Sequence, residues 1–475
     1  GQIVFSADDA EKWHKKNKKV ILIRHETSPE DVQGMHVSQG IITAKGGMTS
    51  HAALVARGWG KACIVGCSDL NIDLKNQAVI INNITYKRGD WFTMNGTEGF
   101  IYDKKLDLVK SNFMNNKYFL KLMNLTNKFK KLIIRTNADN PKDAKLSRKL
   151  GAQGIGLCRT EHMFFEKDRI RSVQKMILSN SSMDRKGAIM ELLPHQKKDF
   201  YQILKEMAPN PVTIRLLDPP LHEFLPSLKN EKLIKNLAKS MQLSSKNIKN
   251  RIIDLFEINP MLGHRGCRLA ISYPEITEMQ VEAILSACAK LIKKGIKPNP
   301  EIMIPLVGTI GEFENQRKII LSIADKLNEK YNIKIKYKVG TMIELPRACL
   351  IADEIAEKAD FFSFGTNDLT QTTFGFSRDD IGSFIQDYFD NNIIVEDPFK
   401  TIDIRGVGQL VKLAVEKGRE IKPKIKIGIC GEHGGDPKSI YFFDDIKLDY
   451  VSCSPYRVPI ARLSAAKNSI RNNSA

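Results

Sequence analysis

From residue 132 onward, short apolar runs alternate with longer stretches of helical spacing, and this constrains the fold more than anything else in the chain. The runs are Leu132–Arg135, Gly154–Cys158, Val212–Leu217, Glu257–Met261, Ile302–Val307, Tyr337–Ile343, Phe361–Gly365 and Ile425–Ile429. Helical stretches such as Ile276–Lys294 and Ile310–Lys330 separate most of them. Runs this short and apolar suit strands buried on both faces, which is what helical crossovers produce in a parallel sheet. Eight of them over about 340 residues predict a (β/α)8 barrel with insertions. A doubly wound open sheet is the alternative.

The remainder of the chain reads as two further parts. Residues 1–102 form a small mixed α/β domain: a helix over Asp8–Asn17, strands at Val20–Ile23, Gly40–Thr43, Ala62–Val65 and Ala78–Ile81, and hairpin signals at Arg88-Gly89 and Asn95-Gly96. Residues 103–131 are rich in Lys, Asn and Leu and hold neither Pro nor Gly. Phe119, Leu120, Leu122 and Met123 have helical spacing there, so a helical linker is expected. The barrel domain then occupies 132–475. No apolar run approaches the roughly 20 residues of a bilayer span, which argues against a membrane protein.

The formal net charge is +19, from 73 Lys+Arg against 54 Asp+Glu. Such an excess can mark a nucleic-acid binder. Here the lysines are scattered in pairs, such as Lys15-Lys16 and Lys293-Lys294, so a soluble protein without a nucleic-acid partner is the better reading. Eight cysteines in 475 residues are too sparse for a disulfide scaffold and suit a reducing compartment, cytoplasmic or organellar.

Chemistry-bearing residues cluster just after the runs. The second ends in Arg159-Thr160-Glu161, the third in Arg215 and Asp218, and the fourth leads to Gly263-His264-Arg265. The sixth ends in Glu344, the seventh in Gly365-Thr366-Asn367-Asp368 and the eighth in Cys430-Gly431-Glu432. In a barrel these positions share one mouth, where active sites of this fold are built. Glu344 and Asp368, from neighbouring runs and with no histidine beside them, suit Mg²⁺, with Mn²⁺ as the alternative; neutralising nearby arginines is the competing role. Arg159, Arg215 and Arg265 match phosphate or carboxylate oxygens. Together they imply a small, multiply anionic, metal-chelating substrate. Cys430 could give a proton to a carbanion or enolate.

A second centre lies in the small domain, in the stretch Gly46–Gly58. The double glycine permits a tight turn, and Thr49 or Ser50 can cap the helix that follows. His51 would then lie in the first turn, where unpaired N–H groups and the helix dipole stabilise an anion, including a phosphoryl group on the imidazole.

Taken in order, these motifs resemble the pyruvate, phosphate dikinases, within the phosphoenolpyruvate-utilising enzymes. The resemblance rests on Gly46–Gly58, Leu157–Phe165 (LCRTEHMFF), Arg215–Pro226 (RLLDPPLHEFLP), Asn259–Leu269 (NPMLGHRGCRL), Thr341–Ala348 (TMIELPRA), Phe361–Gln371 (FFSFGTNDLTQ) and Ile429–Pro437 (ICGEHGGDP). It implies a swivelling phosphohistidine domain followed by a phosphoenolpyruvate/pyruvate-binding barrel. His51 would be the phosphorylated nucleophile, and Arg159 and Arg215, with Arg265 as a further ligand, would bind the phosphate or the transferring phosphoryl group. Glu344 and Asp368 would hold Mg²⁺. Gly365, Thr366 and Asn367 would line the pyruvate pocket, and Cys430 would protonate the enolate. Thr49 occupies a place that is regulatory in plant members. A homodimer through the barrel is implied as well.

Nothing in the chain resembles the ATP-grasp domain that precedes the phosphohistidine domain in the family, and residue 1 is Gly. The expectation is a processed product or fragment that cannot make phosphohistidine from ATP and phosphate but retains the pyruvate half-reaction, with 103–131 as the arm of a swinging carrier. The alternatives are a phosphoenolpyruvate synthase, an enzyme I-type phosphotransferase, or a non-catalytic phosphocarrier that senses phosphoenolpyruvate.

Overall fold

Near the amino terminus four strands pair in chain order into a parallel sheet: β1 (Gln2–Val4), β2 (Val20–Arg24), β3 (Gly40–Thr43) and β4 (Ala62–Ile64). The computed structural model describes residues 1–474 apart from 29–30, 47–51, 54–55, 57–59, 109–114, 167–168 and 180. Side chains of the sheet alternate between faces. Ile3, Ile21, Ile23 and Ile42 pack with Leu70, Ile72, Val79 and Phe92, whereas Val4, Val20, Leu22 and Ile41 pack with Ala10, Met35, Ala52 and Ala56. Ala10 belongs to the helix Ala7–Lys15, whose first turn is capped by the Ser6 hydroxyl accepting from Asp9 N.

Three antiparallel strands follow, β5 (Asn71–Asp73), β6 (Ala78–Ile81) and β7 (Ile84–Lys87), and then the pair β8 (Thr93–Asn95) and β9 (Phe100–Tyr102). The Asn95-Gly96 signal lies in the β8–β9 hairpin, where Asn95 O accepts from Gly99 N. Arg88-Gly89 makes a turn but no hairpin, because the chain leaves it to bridge Trp91 with Gln2. The hairpin lies instead between β6 and β7 at Asn82-Asn83, whose φ values of 50° and 64° suit residues that tolerate the left-handed region.

Eight parallel strands close into a barrel: β10 (Ile133–Asn137), β11 (Ile155–Arg159), β12 (Pro211–Arg215), β13 (Asn299–Ile304), β14 (Lys338–Ile343), β15 (Phe361–Phe364), β16 (Lys426–Ile429) and β17 (Tyr450–Cys453). Each pairs with its successor, and β10 closes the ring on β17 with Ile133 opposite Tyr450. The open-sheet alternative is thereby excluded.

One expected strand is wrong. Glu257–Met261 is a bend leading into a 3-10 turn, Pro260–Leu262. Pro260 has no N–H for a ladder, and Ile258 is 98% exposed, so neither condition of a buried strand holds. The eighth strand is Tyr450–Cys453, where Ser452 interrupts the apolar pattern. The order therefore shifts: Arg265 lies in the long excursion between the third and fourth strands, and Glu344, Gly365 and Cys430 follow the fifth, sixth and seventh.

The described residues divide into two units, Gly1–Leu122 with Gly375–Thr401 and Met123–Phe374 with Ile402–Ala475. Within the stretch 103–131, a helix covers Lys117–Phe129. Met123 and Thr126 on it are buried, and Arg462 donates to Met123 O at 2.6 Å and to Asn127 Oδ1 at 3.1 Å.

Candidate active site

The carboxyl ends of the barrel strands carry most of the charged side chains singled out in the sequence. Arg159 ends β11 and is held on one edge by Asp139, which follows β10. Its Nε and Nη2 donate to Asp139 Oδ2 at 3.1 and 2.8 Å, and its backbone N donates to Oδ1 at 2.7 Å. Burial would raise the Asp139 pKa, but Arg159 and then His162 reverse this and hold the carboxyl well below the usual range.

Arg215 ends β12. Its Nη2 pairs with Glu161 Oε1 and its Nη1 with Asp218 Oδ2 at 2.9 Å. Arg265 reaches the same Asp218 oxygen at 2.5 Å and Asp368 Oδ2 at 3.0 Å. Burial alone would weaken the hold of both guanidiniums on their protons; the surrounding carboxylates together more than compensate, Asp218 foremost in each, joined by Glu161 at Arg215 and by Asp368 at Arg265. Asp218 is thus a bridge that keeps two arginines side by side despite their like charge.

Asp368 has Arg265 as its partner, so the competing, neutralising role describes it in part. Glu344 differs. Its Oε1 accepts from Leu306 N at 2.6 Å, and among the described residues it makes no ion pair with an arginine. It is 1% exposed. Burial, then the like charges of Asp218 and Asp368, push its pKa well above the usual carboxylate range. A buried carboxylate facing two others is the environment a divalent cation relieves, so Glu344 and Asp368 fit a hard metal ion. No group of three or more His, Cys, Asp or Glu side chains among the described residues could hold a metal unaided. Substrate and water oxygens would have to complete the shell.

Close approach explains the glycine between them. A Cβ on Gly365 would lie 2.7 Å from Met342 Sδ and 2.8 Å from Glu344 Oε2. Thr366 is buried with its hydroxyl 2.7 Å from His433 Nδ1, and Asn367 Oδ1 accepts from Glu432 N at 3.1 Å. These bonds tie the turn after β15 to the turn after β16. Cys430, at the end of β16, donates its N–H to Phe364 O at 3.1 Å, and its thiol points at the same carbonyl at 3.7 Å. Burial pushes the thiol up to about 11; Ser363, Arg215 and Arg159 pull it down and Glu344 pushes it up. At neutral pH the group is a protonated thiol.

Arg159, Arg215, Arg265, Glu344, Gly365, Thr366, Asn367, Asp368 and Cys430 all belong to the barrel unit. His51 and Thr49 lie outside the described residues, while Ala52, Ala53 and Ala56 just beyond them are helical and buried. Sequence reasoning missed Asp139, which orients Arg159, and did not give Asp218 its bridging role. The signal for Asp139 is its place: β10 runs on past Arg135 to Asn137, which puts Asp139 directly after a strand end like the other site residues. Ser363 and Tyr450, whose side chains line the barrel beneath Cys430, carried no such signal.

Around one mouth of the closed barrel stand Arg159 and Arg215 at strand ends, Arg265 from the excursion after β12, two metal-suited carboxylates and a neutral thiol. The PEP-binding domain of PEP-utilising enzymes matches residues 114–470, and the mobile domain of the same enzymes matches residues 16–99. The chain belongs to the PEP-utilising enzymes and is pyruvate, phosphate dikinase-like. It is 53% identical to pyruvate, phosphate dikinase 1, chloroplastic, of Arabidopsis thaliana, over 98% of this chain and 48% of that protein. The chloroplastic dikinase of Flaveria trinervia is 54% identical over 98% of this chain and 49% of its own length. Pyruvate, phosphate dikinase 2 of Zea mays is 52% identical over 98% and 53%. The chain thus spans about half the length of the curated relatives it matches. No helix among the described residues is long and apolar enough to cross a membrane.

Proposed function

We propose that this chain transfers a phosphoryl group reversibly between phosphoenolpyruvate and His51, with pyruvate as the other product, and that this is the pyruvate half of a dikinase reaction. In a longer protein with a nucleotide-binding domain the full reaction would be ATP, phosphate and pyruvate giving AMP, diphosphate and phosphoenolpyruvate. The observation that carries the reading is the neutral thiol of Cys430, held at one strand end close to the Arg159 and Arg215 guanidiniums and the buried Glu344 carboxyl.

Arg159 and Arg215, with Arg265 behind them, bind the phosphoryl oxygens and offset their charge while the P–O bond to the enolate oxygen breaks and the bond to the His51 ring nitrogen forms. Glu344 and Asp368 hold Mg²⁺, which when bound offsets further charge on the phosphoryl group and on the developing enolate. Gly365, Thr366 and Asn367 shape the pocket of the three-carbon unit. Cys430 gives its proton to the methylene carbon, pyruvate departs, and the thiolate left on Cys430 is reprotonated from solvent. His51 must reach the mouth for this step, and the stretch 103–131 is the proposed arm. The free state of all eight cysteines supports a reducing compartment.

The test is phosphoryl transfer itself. The chain is incubated with radiolabelled phosphoenolpyruvate and Mg²⁺, and acid-labile, base-stable label and pyruvate are followed. Label that needs His51 and Mg²⁺, with pyruvate release that needs Cys430, is expected. Absence of label in the folded chain would overturn the reading.

A further inference from the structure

Among the described residues His162 is the one histidine bonded to a partner of the proposed phosphate subsite, and no step above uses it. It lies on the 3-10 turn Thr160–Met163 directly after β11, with a side chain 47% exposed. Its Nδ1 is 2.7 Å from Asp139 Oδ2, the oxygen that also receives Arg159 Nε and Nη2. An ionised carboxylate only accepts, so Nδ1 carries the hydrogen, and Nε2 is the nitrogen left to gain or lose a proton. Asp139 therefore serves two cationic groups through one oxygen. Arg159 Nη1 takes no partner among the described residues and remains for a ligand.

We infer that Asp139 and His162 form a positioning pair for Arg159: Asp139 fixes the guanidinium, and the charge on His162 sets how much of the Asp139 charge Arg159 must share. The inference rests on the reading of Arg159 as a ligand of the substrate phosphate. When His162 is neutral, Arg159 and Asp139 cancel and the subsite gains little net charge from them. Imidazoles take up a proton between about pH 5 and 8. When Nε2 is protonated, the imidazolium draws on Asp139 and the three groups carry a net positive charge. Anion affinity then rises as pH falls. Other charged groups also face the pair, and they are common to both proteins compared below. Arg215 and Glu161 act on Arg159 from β12 and from the turn of His162 itself. Asp143 and Lys142 lie on the helix Pro141–Lys149, and Asp143 interacts with both Asp139 and Arg159.

The substitution His162→Asn places an amide donor near the position of Nδ1 and removes the titrating nitrogen. Phosphoenolpyruvate is titrated calorimetrically, with Mg²⁺, into the chain carrying His51→Ala to prevent transfer, with and without His162→Asn. Comparing the two at each pH cancels the titration of the ligand's own phosphate. The expected result is a Kd raised about threefold to tenfold by His162→Asn at pH 5.5, and matched within about twofold at pH 8.5. A ratio that is the same at both pH values overturns the pair's charge role, whether that ratio is one or larger. Arg159→Gln in the same background is expected to weaken binding at both pH values. If it does not, the phosphate reading of Arg159 fails and this inference with it, a result distinct from a flat His162→Asn ratio in a chain that still depends on Arg159.

Discussion

At Cys430 burial competes with neighbouring cations and a hydroxyl for the thiol's proton, and burial wins, leaving a pKa of about 11. A thiol raised this far is a poor nucleophile at pH 7 but a ready store of one proton beside the pocket. Alkylation by iodoacetamide should therefore be slow at pH 7 and accelerate about tenfold per pH unit up to pH 10, with phosphoenolpyruvate protecting. A rate that levels off near pH 8.5 would mean an ordinary exposed thiol. Replacing Cys430 by Ala should lower pyruvate release at least about 100-fold while phosphoenolpyruvate binding stays within about twofold. Gly365 is decided by space rather than charge. Gly365→Ala must displace Met342 or Glu344, and about 1–3 kcal/mol of lost stability is expected together with weaker Mg²⁺ dependence of transfer, read by denaturation and by metal titration. Most residues of this cluster are legible in the sequence because they stand directly after apolar runs. Asp139, Asp218 and Ser363 are harder to see, because what they do is visible only in which atoms they meet from other strands.

The helix Lys117–Phe129 owes its fixed end to one side chain. Arg462, 5% exposed on the helix Val458–Ser474, donates to Leu150 O, Met123 O and Asn127 Oδ1. Leu150 O loses its one side-chain donor with Arg462, whereas Met123 O keeps the Thr126 hydroxyl, so the loss combines one stranded buried carbonyl with two further hydrogen bonds. Arg462→Ala is expected to cost about 2–4 kcal/mol in the barrel unit. All three tryptophans, Trp13, Trp59 and Trp91, lie in the other unit. Far-UV circular dichroism should therefore show an earlier transition while tryptophan fluorescence does not; a shared shift would contradict a local anchor. The strands illustrate what pattern alone can do. Seven of the eight barrel strands are legible because most of their residues are apolar, as sheets covered on both faces require, even with Arg135, Glu301 or Ser363 set among them. The eighth is not: Ser452 donates its hydroxyl to Asn137 Oδ1 inside the barrel, and Tyr450 lays its ring against the Arg135 guanidinium there. Glu257–Met261 has the opposite fault. Its Ile258 and Met261 look like strand positions, yet Glu257 is spent on accepting the backbone N–H of His264, which holds the loop before Arg265.

Barrel closure brings residues from distant parts of the chain into one polar layer beneath the site. Arg135 on β10 donates to Glu301 on β13 at 2.7 Å and to Thr213 on β12 at 3.1 Å. Lys426 on β16 donates to the other Glu301 oxygen at 2.7 Å, and Arg135 stacks 3.9 Å over the Tyr450 ring. Because β10 and β13 are not neighbours, these contacts run through the barrel interior, and they form only when the ring is complete. Burial would raise the Glu301 pKa, but Arg135 and then Lys426 take it from 4.5 down to about 2. Lys426 moves downward too, since burial and Arg135 outweigh the one carboxylate that two cations share. A depressed folded pKa means stability that is fully present above pH 4.5 and lost as pH falls through 2, roughly 3 kcal/mol in total. Glu301→Gln strands Arg135 at neutral pH and should cost about 3–5 kcal/mol there. Its penalty relative to the parent should shrink steadily between pH 5 and pH 2.5, measured by denaturant midpoints in far-UV circular dichroism, with tryptophan fluorescence as the control for the other unit. A penalty constant across that range would mean that Glu301 does not titrate with folding and that the layer is held by packing rather than by charge.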